Sequence, residues 1–210
     1  MNEEQQNQAP ISRIVLASSS PRRKELVASL DLSLPVSILS TDTDESFEQG
    51  WTPAEVVEQL SLRKGRAAEA MLKQGGDHGD GTLILSADTI VVLDGDVLGK
   101  PANDEEAVAM LTGLQGRQHD VYSGIALIQA GTTNRIVASR RTKVTMKPLD
   151  EDRIRRYVAT GEPRDKAGAY GIQGFGATLV EGIEGCYFNV VGLPISLLSD
   201  MLEKFGIRTY

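Results

Sequence analysis

The chain has 210 residues, of which 40% are hydrophobic and 24% are charged, the composition of an ordinary globular protein. At roughly 150 residues per domain, this length predicts one domain or two closely packed lobes. The 22 basic and 29 acidic residues give a net charge of -7. This excludes a general binder of nucleic acid or of anionic membranes, because such a protein needs a basic surface. An anionic small substrate stays open, since a cleft can concentrate positive potential inside an acidic protein.

The single cysteine, the N-terminus and the hydropathy pattern bear on the compartment. Cys186 cannot form an internal disulfide, so we expect a buried structural residue in a reducing compartment. The first ten residues are polar and include Glu3 and Glu4, unlike a signal peptide. No apolar run approaches the roughly 18 residues that span a bilayer. We therefore expect a disordered lead-in over residues 1–12, a single domain over 13–210, no membrane partner and a cytoplasmic location.

Hydropathy periods and turn residues predict strands and helices that interleave irregularly, which indicates an α/β protein with a mixed sheet. The Thr52 cap, followed by Pro53 and Glu55, is a strong helix start. The β-branched run over 83–93 predicts a buried strand. In chain order, the predicted elements are strand 14–17, helix 21–30, helix 53–73, strand 83–93, hairpin strand 97–98, helix 104–114, strands 121–128 and 136–146, helix 150–159, glycine-punctuated strand and turn over 170–191, and helix 194–205.

Two adjacent arginines, Arg22 and Arg23, stand in the first turn of the helix predicted after the Ser-Ser-Ser-Pro sequence at 18–21. Free N–H groups and the positive dipole end disfavour cations there by a few tenths to about 1 kcal/mol each. An anion bound by the helix end and both guanidinium groups would compensate, so the pattern predicts a phosphate site. The alternative is a solvated basic turn capped by Ser20. If the phosphate site is correct, removal of Arg23 should leave the unliganded protein equally or slightly more stable.

Asp88 lies inside the apolar run over 83–93. An ionised carboxylate in a buried strand costs several kcal/mol unless it is paired or liganded. The alternative is an aspartate at an exposed strand end that pins a loop. The run continues past Asp88 through three β-branched residues at 90–92, which favours a metal ligand or a general base.

Asp42, Asp44 and Glu45 form a carboxylate cluster in a predicted loop. The cluster lacks the glycine and the distant glutamate of a calcium loop, so taken alone it favours a solvated acidic loop. Beside a phosphate site it becomes a candidate for Mg²⁺, which usually takes one or two carboxylates together with substrate phosphates.

The sequence GDVLGK at 95–100 is one residue short of a P-loop, and Pro101 stands where serine or threonine is needed. It also follows a predicted hairpin and does not open a helix. We therefore reject a P-loop and keep Lys100 as a candidate phosphate contact.

Small residues surround Tyr170 and Gln173 in the sequence DKAGAYGIQG at 165–174. Glycines let the backbone approach a ligand closely, and a glutamine amide offers the donor and acceptor that suit a nucleobase edge. A glycine-bent strand with a buried tyrosine fits the same residues. The pattern alone leaves these two interpretations open.

Four of these segments form a recognisable combination: SSSPRRKEL at 18–26, ADTIV at 87–91, GKP at 99–101 and KAGAYGIQG at 166–174. In order and spacing they resemble the Maf family of nucleoside triphosphate pyrophosphatases, also called septum formation inhibitors. The resemblance implies one catalytic domain that converts a nucleoside triphosphate and water to the monophosphate and pyrophosphate, with a divalent metal, Mg²⁺ or Mn²⁺. It implies an inosine-triphosphatase-like α/β fold, with a long mixed β-sheet, flanking helices and a cleft between two lobes.

The resemblance also implies roles for individual residues. Asp88 matches the family's proton acceptor and, with Glu45, would hold the metal; which of the two is base and which is ligand stays open. Ile-Gln-Gly around Gln173 is similar to the branch that acts on dTTP and UTP, as opposed to the branch that prefers 7-methyl-GTP. The implied catalytic residues are Asp88, Glu45, Lys64 and Lys100, and the implied residues of substrate binding and specificity are Ser18, Ser20, Arg22, Arg23, Thr89, Lys166 and Gln173.

One departure from the family pattern is Gly65, where the family usually has alanine after the lysine that matches Lys64. Glycine weakens a helix by about 1 kcal/mol relative to alanine.

The cellular role that the resemblance implies would be nucleotide-pool cleaning or restraint of septum formation, and a homodimer stays open. The alternative is a non-catalytic, nucleotide-binding regulator of cell division.

Overall fold

A seven-stranded mixed sheet runs through the computed structural model, which describes residues 10–77 and 79–209. The sheet order is β2-β1-β3-β5-β6-β7, and β4 pairs with β3 off this path. Pairing of β1 with β2 and with β3 is parallel, and the other pairs are antiparallel. The elements are β1 (Arg13–Ala17), α1 (Pro21–Ala28), β2 (Val36–Ile38), α2 (Pro53–Gln74), β3 (Thr82–Leu93), β4 (Asp96–Leu98), α3 (Asp104–Leu114), β5 (Gln118–Gln129), β6 (Arg135–Met146), α4 (Glu151–Ala159), β7 (Val180–Glu184), α5 (Tyr187–Val191) and α6 (Ile195–Glu203).

The predicted α/β class with a long mixed sheet and flanking helices is confirmed. Helix α2 begins as predicted, because the Thr52 hydroxyl accepts the Glu55 N–H while the Glu55 carboxylate accepts the Thr52 N–H. Strand β2 was not predicted, since all three of its residues are exposed and carry no buried face. The segment 170–191 contains short 3₁₀ turns, β7 and α5, because its glycines break any strand period.

Helices cover both faces of the sheet, which the alternation of β3 shows directly. Leu83 and Leu85 pack against α1 and α6 on one face of the sheet. Ile84 points to the opposite face, where it packs in one cluster with Leu62 and Ala68 of α2. A second cluster, formed by α3 and α4 over the other end of β3, β5 and β6, begins at Val91. The two helix clusters on the first face form the predicted two lobes, and the sheet joins them.

The N-terminal lead-in and Cys186 both differ in part from what the sequence led us to expect. Most of the predicted lead-in, residues 1–9, lies outside the described residues, whereas Ile11 packs against the core and the Ser12 N–H donates to the Gly81 carbonyl at 2.7 Å. Cys186 is half-buried and not fully buried as expected, and its N–H donates to the Thr142 hydroxyl. Among the described helices, none is long and apolar enough to cross a membrane.

Glycine lets α2 lie unusually close to the sheet. A Cβ at Gly124 of β5 would meet the Val57 carbonyl oxygen of α2 at 2.3 Å, and a Cβ at Gly65 would meet the side chains of Ile128 and Ser86 at 2.7 and 2.8 Å. The departure at Gly65 therefore has a packing reason. An alanine there would require the Ile128 and Ser86 side chains to move or α2 to shift away from the sheet.

Alanine at Gly124 should lower the free energy of unfolding by about 2 kcal/mol or more, since the obstacle is helix backbone and not a movable side chain. Gly113→Ala in α3 is the control, because its nearest neighbour would lie at an ordinary 3.7 Å and helix propensity should raise stability by about 0.5 kcal/mol. Urea unfolding of both variants measures the contrast. Equal stability of Gly124→Ala and the unmodified protein would contradict the close packing.

Candidate active site

The site lies where β3 loses its neighbour on one side. Strand β1 pairs with β3 only as far as Ser86, and β4 begins pairing at Val91. Asp88 and Thr89 fall between these points, with β5 alone beside them. A cleft of about 1080 Å³ opens at this gap. The period-2 alternation of a strand turns Asp88 towards α2 and Thr89 towards α1 and α5.

Lys64 of α2 is held between two carboxylates. Its ammonium contacts Asp88, which is only 6% exposed, and it donates to Glu45 at 2.9 Å. Lys100 approaches the other oxygen of Glu45 at 3.7 Å. The buried charge of Asp88 is thus compensated by an ion pair, as the sequence required.

The loop that carries Glu45 is fastened by a residue that the sequence did not indicate. The Arg63 guanidinium donates to the backbone carbonyls of Asp44 and Ser46. Burial acts to raise the pKa of Glu45, but the hydrogen bond and charge of Lys64, together with Lys100, outweigh it and lower that pKa below its ordinary value. Glu45 is therefore ionised at neutral pH.

The carboxylates of Glu45 and Asp88 fit a divalent metal in part. Both reach the same ammonium, so their oxygens lie close enough to share one cation, and hard oxygen donors suit Mg²⁺ or Mn²⁺. Within 10–77 and 79–209, no group of three or more histidine, cysteine or acidic side chains is arranged for a metal ion. Substrate phosphates would have to complete the coordination, as they usually do for Mg²⁺.

The Arg23 side chain lines the cleft and also donates hydrogen bonds to two groups of the protein. Its Nε donates to the Gly192 carbonyl at 2.9 Å and its Nη2 to the Thr89 hydroxyl at 3.0 Å. Burial lowers the pKa of Arg23, an effect that the charge of Asp88 opposes and that of Arg22 reinforces. Loss of Arg23 would leave the Gly192 carbonyl and the Thr89 hydroxyl without this donor. The structure therefore favours a lower stability of the unliganded variant, whereas the sequence alone led us to expect no loss.

Thr89 belongs to a directed chain of hydrogen bonds. Ser123 donates its hydroxyl proton to the Asn189 carbonyl at 2.9 Å, so the 2.8 Å contact between Thr89 and Ser123 has Thr89 as donor. Thr89 in turn accepts from Arg23. In this arrangement Thr89 has no hydroxyl proton left for a ligand, which the sequence could not indicate.

The start of α1 combines both interpretations of the serine turn. Ser20 is the N-cap, and its hydroxyl accepts the Arg23 N–H at 3.5 Å, while the Ser20 N–H donates to Ser18 at 3.2 Å. Arg22 lines the cleft and lies 3.6 Å from Asp165. The capped helix end therefore faces the same cavity as both guanidinium groups.

The segment around Gln173 forms the opposite wall. Tyr170 is buried, and its hydroxyl lies 2.7 Å from Nε2 of His119. Burial lowers the pKa of His119 to about 4, so this ring is neutral at neutral pH. Gln173 is exposed to the cleft, and its amide makes no hydrogen bond to another described residue. Tyr170 is thus packed inside the protein as the second interpretation expected, although in a segment of 3₁₀ turns and not in a strand, and recognition of a base by the open Gln173 amide stays a prediction.

The Lys166 ammonium already has two hydrogen-bond partners within the protein, which leaves fewer of its donors for a phosphate. Its ammonium donates to the Glu162 carbonyl and to the Asp165 carboxylate, the latter at 2.7 Å. The structure brings every site residue that the family resemblance implied into contact with the same cavity; these residues are Ser18, Ser20, Arg22, Arg23, Glu45, Lys64, Asp88, Thr89, Lys100, Lys166 and Gln173. Asp42 of the carboxylate cluster also lines this cavity, whereas Asp44 does not, and its carboxylate accepts the N–H and the hydroxyl of Ser46.

This geometry defines an α/β protein with a charged cleft at the gap in the sheet where β5 is the one neighbour of β3. The profile of the family described as "Maf-like protein" matches residues 13–205, and the chain belongs to that family.

Curated relatives cover nearly the whole chain. It is 52% identical over 196 residues to the dTTP/UTP pyrophosphatase of Pelotomaculum thermopropionicum, covering 93% of this chain and 98% of the relative. Identity is 51% over 200 residues to the dTTP/UTP pyrophosphatase of Moorella thermoacetica, covering 95% and 98%, and 48% over 195 residues to that of Desulforamulus reducens, covering 93% and 97%.

Arg23→Ala should lower the free energy of unfolding by about 1–3 kcal/mol, the usual penalty for leaving buried acceptors without a donor. Arg22→Ala should change it by less than about 1 kcal/mol, because a partly exposed ion pair at 3.6 Å contributes little. Both variants should bind inorganic pyrophosphate more weakly in calorimetry. Equal stability of the two variants in urea unfolding would contradict the buried network.

Proposed function

We propose that this chain hydrolyses dTTP and UTP to the nucleoside monophosphate and pyrophosphate. The relatives' names support this substrate pair. The observation that carries the proposal is the Lys64 ammonium held between Asp88 and Glu45, in a cleft that also presents Arg22 and Arg23. A pure nucleotide binder has no need for an ionised carboxylate beside its phosphates.

Binding of a triphosphate to a net-acidic protein requires local positive charge. Arg22 and Arg23 at the start of α1, and Lys64 and Lys100 across the gap, would supply it. Guanidinium groups suit phosphate oxygens because they donate in pairs. The start of α1 adds the positive end of the helix dipole to the same wall.

Hydrolysis needs a water molecule directed at the α-phosphorus. Asp88, fixed on a buried strand, would accept a proton from that water as its oxygen bonds to phosphorus and the bond to the pyrophosphate oxygen breaks. Lys64 would hold the Asp88 carboxylate in place through their ion pair. A divalent metal bound by Asp88, Glu45 and the phosphates would neutralise the charge that develops on the leaving pyrophosphate.

Base selection would depend on Gln173. Its free amide could donate to a uracil or thymine carbonyl and accept from the ring N–H, whereas cytosine presents part of that pattern reversed. Thr89 would act on selection by holding Arg23, since its hydroxyl proton is already donated to Ser123. Nucleotide-pool cleaning or restraint of septum formation in the cytoplasm would follow from this activity, and a homodimer stays a prediction.

Asp88→Asn should lower turnover of dTTP and UTP by about 10²-fold or more with folding retained, because the amide keeps the size but cannot accept the proton. Asp120→Asn is the matched control: like Asp88, Asp120 lies on a strand and pairs with a cation, here Arg141 at 2.8 Å, but it lies outside the cleft. Pyrophosphate release with added Mg²⁺ measures both. Near-normal turnover of Asp88→Asn would refute its role. Nucleotide binding without turnover in the unmodified protein would favour the non-catalytic regulator.

Gln173→Glu should lower kcat/KM for dTTP and UTP much more than residual hydrolysis of CTP and GTP. The carboxylate loses the donor that the pyrimidine carbonyl needs, and a site built to hydrogen-bond a group discriminates by up to about 10⁴-fold in favourable cases. The measurement is kcat/KM for dTTP, UTP, CTP, GTP and 7-methyl-GTP in both forms. Equal losses on every nucleotide would show that Gln173 reads no base, and a preference of the unmodified protein for 7-methyl-GTP would overturn the substrate assignment.

A further inference from the structure

One carboxylate holds the cleft segment 171–176, which carries Gln173. Oε1 of Glu162 accepts the Gly176 N–H at 2.9 Å and the Tyr157 hydroxyl at 2.9 Å, and Oε2 accepts the Phe175 N–H at 2.9 Å. The Tyr157 hydroxyl also accepts the Gly171 N–H at 3.3 Å. Glu162 and Tyr157 together therefore bind backbone on both sides of Gln173.

The protonation of Tyr157 gives this network a fixed direction. Burial, together with the hydrogen bond and charge of Glu162, raises the pKa of Tyr157 well above its ordinary value. The phenol stays protonated and donates to Glu162, which leaves its oxygen to accept from Gly171. All three groups that face the Glu162 carboxylate are thus donors.

The close approach depends on two glycines in the segment. A Cβ at Gly174 would meet Oε2 of Glu162 at 2.5 Å, and a Cβ at Gly176 would meet the Gly171 carbonyl oxygen at 2.1 Å and the Tyr157 hydroxyl at 2.8 Å. Gly174 also has a φ of 62°, in the left-handed region that favours glycine. The sequence left ligand approach and internal packing open for Gly174, and the structure gives it this internal contact; Gly176 lies beyond that motif.

Gln173 sits between two anchor points. On one side, Ile172 is buried in the core cluster of α1 and α6. On the other side, Phe175 is 64% exposed, so its side chain does not hold the backbone, and the bond from its N–H to Glu162 does. Without Glu162, the backbone after Gln173 would be left with the hydrogen bonds of its own turn, which the Thr178 hydroxyl and the Leu179 N–H donate to the carbonyls of Phe175 and Gly176.

We propose that Glu162 is a positioning residue for base selection, which acts by holding the backbone of 174–176 so that the Gln173 amide meets the base at a fixed position. This inference rests on the proposed function, because it needs Gln173 to read a pyrimidine. Glu162 does not need to touch the substrate, since both of its oxygens already accept hydrogen bonds from the protein.

The test is Glu162→Gln, which places an amide N–H₂ against at least one of the three donors. We expect the ratio of kcat/KM for UTP over CTP to fall about tenfold, the scale of one unsatisfied buried hydrogen bond, with kcat for UTP changed much less. The Phe175 and Gly176 amides should exchange with solvent faster in NMR. Tyr157→Phe, a milder change that removes one donor, should give a smaller fall of the same ratio.

Two controls separate positioning from a general structural effect. Glu69→Gln removes a carboxylate oxygen that accepts the Gly131 N–H at 2.9 Å, in a hairpin outside the cleft, and should leave the UTP to CTP ratio unchanged. In a Gln173→Ala background, Glu162→Gln should have no further effect on that ratio, because its effect passes through Gln173.

Three results would overturn the inference. The first is an unchanged ratio in Glu162→Gln although the two amides exchange faster, and the second is an equal loss of kcat/KM on every nucleotide. The third is an undiminished effect of Glu162→Gln in the Gln173→Ala background. If the unmodified protein hydrolyses neither dTTP nor UTP, the proposed function fails and this inference fails with it; if it hydrolyses both and one of the three results appears, only this inference fails.

Discussion

The ion pair between Asp88 and Lys64 is the interaction on which the rest of this architecture depends. A carboxylate inside a buried strand is tolerated only beside a compensating charge. Helix α2 supplies that charge, and it must lie almost in contact with the sheet backbone for the lysine to reach. Gly65 and Gly124 make this distance attainable, since a Cβ at either position would meet α2 or the strands below 3 Å.

Because side chains alternate between the two faces of β3, the adjacent residues Asp88 and Thr89 make different sets of contacts. Asp88 faces α2 and the charged cluster, whereas Thr89 faces α1 and α5 and continues into Ser123. Strand β3 therefore connects the ion pair of Asp88 with Lys64 on one face to the hydrogen bond between Thr89 and Arg23 on the other. Because β3 has no neighbour but β5 at this point, both side chains remain accessible from the cleft.

Both walls of the cleft are held by charged groups that bind backbone. Arg63 donates to carbonyls of the loop that carries Glu45, and Glu162 accepts N–H groups of the segment that carries Gln173. Such contacts fix the position of an exposed loop without burying it, which leaves the Glu45 and Gln173 side chains facing the cleft. This is the arrangement of a pre-organised site, in which little ordering remains to be done on binding.

The sequence by itself determined the elements with strong local signals. The capped start of α2, the bounds of α3 and the long buried strand β3 follow from periodicity and capping within a few residues, and the anomalous Asp88 marked the site. Only the tertiary structure decided the exposed strand β2, the internal partners of Arg23 and the backbone partners of Glu162. Each of these depends on contacts between residues far apart in the chain, such as the 169 positions between Arg23 and Gly192. Local patterns record propensity and burial, whereas packing alone sets which distant donors and acceptors meet.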